Sequence, residues 1–142
     1  MIRRLRPVRL ADRGALAALV LPAGYVAVPY LVGIFAVRGS PRPADLLLLA
    51  GLYLSFIGRI LLKDFRDVRG DALFGKRIFL VRHGRRRTCQ FSACCWLAGT
   101  GAILAAARQP TVALVVTEAG CLAAALIALH ALSADRGPRR DE

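Results

Sequence analysis

Acidic side chains are scarce in this sequence: Asp and Glu number 9 against 21 Lys and Arg, giving a formal net charge of +12 over 142 residues. Histidine occurs 2 times and tryptophan 1 time. The 4 cysteines, Cys89, Cys94, Cys95 and Cys121, fit no zinc-ligand spacing. A cysteine zinc site is therefore excluded, and these side chains are expected to be small packing residues in or beside apolar runs. No segment of about 10 residues alternates apolar with polar positions, which excludes the strands of a membrane barrel. No cleavable leader is expected either. Arg3, Arg4 and Arg6 resemble the start of one, but the apolar run behind them is too long for its hydrophobic region. That run is expected to be retained as a span.

What the sequence has in quantity is apolar length, at 56% hydrophobic residues. In a soluble domain this excess would have nowhere to go. It coexists with the basic excess because the two are segregated along the chain. A bilayer core of about 30 Å needs roughly 20 helical residues. The runs Ala15–Val37, Ala44–Leu62, Gln90–Ala107 and Thr111–Ser133 come close to that length. The expected fold is all-α and integral to the membrane, with four transmembrane helices. A basic segment (1–14) precedes the membrane domain (15–133), a loop (63–89) divides it, and a charged tail (134–142) follows.

The positive charge invites comparison with nucleic-acid binders, but its distribution argues against that partner. Arg3, Arg4, Arg6, Arg9 and Arg13 precede the first run, and only Arg38 and Arg42 lie in the first connection. The middle loop holds Lys63, Arg66, Arg69, Lys76, Arg77, Arg82, Arg85, Arg86 and Arg87. The next connection has Arg108 alone, and the tail has Arg136, Arg139 and Arg140. Heavy and light segments alternate as the positive-inside rule requires. The expected location is the cell (inner) membrane, multi-pass, with both termini and loop 63–89 cytoplasmic. Arg85–Arg87 then serve topology and anionic-lipid contact. Arg59 and Lys63, closing the second run, are expected to snorkel toward the interface.

Inside the first run, Pro22 and Pro29 remove helical hydrogen bonds and are expected to kink it. The third and fourth runs, joined by Arg108-Gln109-Pro110, are rich in Ala and Gly and suited to close packing. Glu118 is an intramembrane acid and a functional candidate by position. Its proximity to Pro110 favours a place at the outer interface or a pairing with Arg108. His83 and His130 show no catalytic partner. Tyr25, Tyr30 and Tyr53 are expected to pack or anchor the spans.

The chemistry gathers in Lys63-Asp64-x-x-Asp67-x-x-Gly70-Asp71-x-x-x-Gly75-Lys76-Arg77. If the second run continues as a helix, Asp64, Asp67 and Asp71 fall within roughly a 60° arc. Three carboxylates on one face repel unless a cation joins them, and Mg²⁺ accepts carboxylates together with phosphate oxygens. Lys63, Lys76 and Arg77 flank the acids and suit a diphosphate. A solvated juxtamembrane loop with incidental salt bridges is the plain alternative. The aspartate signature of CDP-alcohol phosphatidyltransferases contains an Asp-Gly pair and an Ala-Arg pair, and neither occurs here in register.

This motif resembles the second aspartate-rich motif of the UbiA-type membrane prenyltransferases. The likeness continues through Phe79-Leu80-Val81-Arg82 and back into Gly58-Arg59. The resemblance implies an isoprenyl diphosphate bound through Mg²⁺ and transfer of its prenyl group to an aromatic or other acceptor. It implies Asp67 and Asp71 as catalytic residues and principal Mg²⁺ carriers, Asp64 as a supporting metal ligand, and Lys63, Lys76 and Arg77 as diphosphate contacts. The family's first aspartate motif does not occur in these residues, and relatives have about twice as many helices. The chain is thus expected to resemble the C-terminal half of the bundle, with a companion chain or segment supplying the first motif. A non-catalytic remnant or assembly subunit that keeps the fold is the alternative. Ile78 replaces a Thr or Ser usual in relatives.

Overall fold

The computed structural model describes residues 19–73, 80 and 83–134, with the backbone alone over 66–73. Every regular element among them is a helix. We number four: α1 (Leu19–Arg38), α2 (Pro43–Leu73), α3 (Arg85–Ala106) and α4 (Val112–Ala134). Each is long and apolar enough to cross a membrane, α2 over Pro43–Phe65. The chain is a multi-pass membrane protein, and its spans lie within a few residues of the apolar runs.

Proline shapes α1. Between Pro22 and Pro29 the backbone widens into a π-helical turn, Ala23–Ala27, where the Val28 N–H donates to the Ala23 carbonyl five residues back. Pro29 has no N–H to give, and its ring would clash with a carbonyl one turn back. The wider turn accommodates that defect without breaking the helix. Gly39 then ends α1 with a positive φ of 73°, and its N–H donates to the Phe35 carbonyl at 3.2 Å. Asp45 locks the connection into α2. Its carboxylate accepts from Arg38 Nη2 at 2.8 Å and from the Arg42 N–H at 2.9 Å.

The tightest seam joins α2 to α3. A Cβ on Gly51 would stand 2.9 Å from both the Gly99 carbonyl oxygen and the Ile103 nitrogen. One turn-pair further along, a Cβ on Gly58 would meet the Trp96 ring at 2.7 Å. Small residues let the two backbones approach, which in lipid replaces the hydrophobic drive of water. Ser92, fully buried, donates its hydroxyl across the seam to the Gly58 carbonyl at 2.9 Å. Ile57, Leu61 and Cys95 pack into a buried cluster against Tyr53. The Tyr53 hydroxyl donates to the Leu19 carbonyl and ties α1 to α2.

Helix α4 packs on α3 more loosely. Ala125 and Leu129 are its buried residues, and nothing lies within 4 Å of a Cβ on Gly120. The Ala- and Gly-rich third and fourth spans were thus the expected close pair, yet the closest approach uses glycines of the leucine-rich second span. Glu118 faces Thr100, whose hydroxyl donates to its carboxylate at 3.4 Å; this, not Arg108, is the contact seen. All four cysteines are free thiols, with Cys89 and Cys95 buried and Cys94 and Cys121 exposed.

Candidate functional site

The three aspartates of the motif lie on a helix, and that helix does not stop where its apolar run does. The apolar run of α2 ends at Leu62, before Lys63 and Asp64, but the helix continues to Leu73. Its 31 residues span about 46 Å at 1.5 Å each, longer than a bilayer core of about 30 Å. Asp64, Asp67 and Asp71 therefore occupy one unbroken helical register, spaced by three and four residues. Lys63 is exposed; Asp64 is half-buried and engaged by a neighbouring group. The side chains of Asp67 and Asp71 are not described, and Lys76, Arg77 and Ile78 lie outside the described residues. Among the described residues, no three His, Cys, Asp or Glu side chains gather into a metal-binding group. Only Asp64 of the three motif carboxylates belongs to that set.

The donor chemistry of the extension fits a hard divalent cation. Three carboxylates at positions i, i+3 and i+7 of one helix offer oxygen ligands and nothing softer. The start of α3 comes back to the same end of the bundle. The Arg85 guanidinium sits over the Phe65 ring, 5.9 Å from its centroid. A cation over a ring face is attracted by the ring quadrupole, so this contact ties the start of α3 to α2 beside Asp64. Gly84, with φ of 80°, supplies the turn that starts α3 there.

A second feature lies deeper in the spans. Helices α1, α2 and α3 line an open groove of about 470 Å³. Tyr25 and Tyr30 come from α1, Ser55, Phe56 and Arg59 from α2, and Trp96 from α3. Tyr25 and Phe56 stack with ring centroids 6.2 Å apart and planes 20° from parallel. The π-helical turn of α1 contains Tyr25 and Val26, both wall residues. Ser55 Oγ and Trp96 Nε1 are buried without a hydrogen-bond partner. Of the tyrosines expected to pack or anchor the spans, Tyr53 packs against the core and Tyr25 stacks on Phe56, while Tyr25 and Tyr30 also line this groove. Ser55, Phe56 and Trp96 carried no signal in the sequence. Arg59, expected to snorkel from the close of the second run, lines the groove.

Helical spans, the extended α2 and its aspartate register all agree with one family. A model of the UbiA prenyltransferase family matches residues 7–142. The chain belongs to that family. Membership supports a prenyltransferase-type function in a lipid bilayer, with isoprenyl diphosphate and an acceptor as the substrates of such enzymes. No curated protein and no solved structure matches the chain.

Proposed function

We propose that the chain binds an isoprenyl diphosphate through Mg²⁺ on the extension of α2 and takes part in prenyl transfer to an aromatic or other acceptor. The observation that carries this is the unbroken helix Pro43–Leu73, which keeps Asp64, Asp67 and Asp71 in one register beyond the apolar span. Asp67 and Asp71 would hold the metal, with Asp64 in support. Lys63, Lys76 and Arg77 would hold the diphosphate by charge-assisted hydrogen bonds. When bound, the metal neutralises negative charge that builds on the departing diphosphate. The basic side chains act on the same charge, stabilising the transition state more than the ground state. The apolar faces of α2 and α3 keep water from the prenyl group. Extramembrane placement of the motif on the cytoplasmic side belongs to the same proposal.

The proposal is confined to binding and participation. The first aspartate motif is not in these residues, and the comparisons lend no support to a separate companion chain. The test is Mg²⁺-dependent binding of geranylgeranyl diphosphate to the purified chain. Asp67→Asn and Asp71→Asn are each expected to weaken binding by about ten-fold or more, the loss of a charge-assisted contact. Undiminished affinity in both variants overturns the assignment.

A further inference from the structure

Helix α4 carries one residue that its surroundings do not balance. Glu118 is the only Asp, Glu, Lys or Arg between Val112 and Ala134. It stands six residues past the start of the helix, about 9 Å inside by helical rise. Its carboxylate accepts from the Thr100 hydroxyl at 3.4 Å, longer than the spacing of about 2.5–2.7 Å usual between a hydroxyl and a carboxylate. A hydroxyl neutralises no charge, and this one engages a single oxygen of the two. Among the described residues, no cation pairs with Glu118, Arg108 in the hairpin before it included.

Two ordinary outlets are closed to this acid. The long stems of Lys and Arg carry a charge from such a depth to the interface; the two methylenes of glutamate do not. The bundle does not enclose the carboxylate either, because Glu118 is only half-buried. The helix around it is open. Its buried residues are Ala125 and Leu129, Thr117 and Cys121 beside Glu118 are exposed, and a Cβ on Gly120 would meet nothing within 4 Å. Ionisable residues inside transmembrane segments pair with one another or mark a functional surface. An occupant at this depth must satisfy its own backbone hydrogen bonds, which in a bilayer means a helix. The charge it must bring is positive.

We propose that the open side of α4 at Glu118 is the docking surface for a transmembrane helix that presents one arginine or lysine at the depth of Glu118. The cation pairs with the carboxylate, while the Thr100 hydroxyl stays on one oxygen and holds the group in place. Thr117, Gly120 and Cys121 are small and exposed, so the incoming backbone can approach closely. This surface belongs to α4, whereas the aspartate extension belongs to α2 and the groove to α1, α2 and α3. Docking there depends on neither the diphosphate site nor prenyl transfer.

The test combines the full chain, fused at its C-terminus to a fluorescent protein, with synthetic transmembrane peptides in phosphatidylcholine bilayers. Förster transfer to a dye on the peptide reports association. One peptide is a leucine–alanine helix with a single arginine about 9 Å from the end of its apolar run; the other has leucine there. The arginine peptide is expected to bind saturably and about ten-fold more tightly than the leucine peptide. Glu118→Gln keeps the size of the side chain but not its charge, and should abolish the difference between the peptides. Glu118→Asp should retain part of it. Thr100→Val removes the hydroxyl and not the charge, so the arginine peptide should still be preferred. Equal binding of the two peptides to the unaltered chain overturns the proposal without recourse to a variant. A preference that survives Glu118→Gln also overturns it. Transfer between differently labelled copies of the chain, lost in Glu118→Gln, overturns it too and identifies a second copy as the occupant. Asp67→Asn and Asp71→Asn should leave the peptide preference intact, so failure of the diphosphate proposal and failure of this one are read separately.

Discussion

Single polar side chains fix this bundle at a few points. Ser92 is the clearest case. Its hydroxyl is fully buried and donates to the Gly58 carbonyl on the neighbouring helix at 2.9 Å. Interhelical hydrogen bonds in membranes average about 0.6 kcal/mol and reach about 1.7. Ser92→Ala is expected to destabilise the chain by about 1 kcal/mol, measured by reversible denaturation in mixed micelles, with little change in helix content. Thr100 works in the same way at the other end of α3, meeting Glu118 at 3.4 Å. The sequence marked Glu118 as an intramembrane acid but pointed to Arg108, its neighbour in the connecting hairpin. Thr100 is a neighbour only after α4 has folded back on α3, and that rotation is set by packing that no local pattern records. Arg59 carries the same lesson. Its place at the close of the second run pointed only to the interface, because the groove beside it exists only once Tyr25 and Trp96 arrive from two other helices.

Among the elements, α2 is the one that links the membrane to the motif. The register of its three aspartates was legible because helical periodicity needs only spacing. The helix continues to Leu73 although Gly70 lies inside it, a residue that costs about 1 kcal/mol in helix propensity. The α2–α3 seam was less legible. Composition directed attention to the Ala- and Gly-rich third and fourth spans. What decides close approach is which glycines face a neighbour, and Gly51, Gly58 and Gly99 do. Gly120 has nothing within 4 Å of the space a Cβ would take. Gly51→Ala and Gly120→Ala should therefore move stability in opposite directions. At Gly51 the methyl meets α3 backbone atoms at 2.9 Å, and overpacking of this kind costs about 1–3 kcal/mol. At Gly120 the substitution gains about 0.5–1 kcal/mol from lost chain entropy in the unfolded state. Thermal unfolding midpoints in detergent, lowered for the first and level or raised for the second, would bear this out. A fall at both positions would mean that α4 makes a contact on its open face.

For the whole molecule, the question is which way the bundle lies in the membrane. Four spans require both ends and the segment between α2 and α3 to share one side, whichever side that is. Charge chooses between the two orientations. The rule counts Lys and Arg near the ends of spans, and acids weigh little in it. The aspartates of the motif therefore do not cancel Lys63, Lys76, Arg77 and the Arg85–Arg87 run. On the opposite side, the connections hold Arg38, Arg42 and Arg108. Arg38 is engaged by Asp45 at 2.8 Å. The expected orientation places the aspartate extension in the cytoplasm, the compartment where a soluble metal ion and a diphosphate head meet an apolar tail dissolved in the bilayer. A fluorescent protein that matures only in the cytoplasm should glow when fused after Arg87 and stay dark after Gln109. Alkaline phosphatase at the same two positions should show the reverse. If the pair is inverted, the diphosphate site faces outward and the proposed reaction loses its cytoplasmic supply of substrate. Should both fusions give the same answer, α3, the helix between the two positions, does not cross.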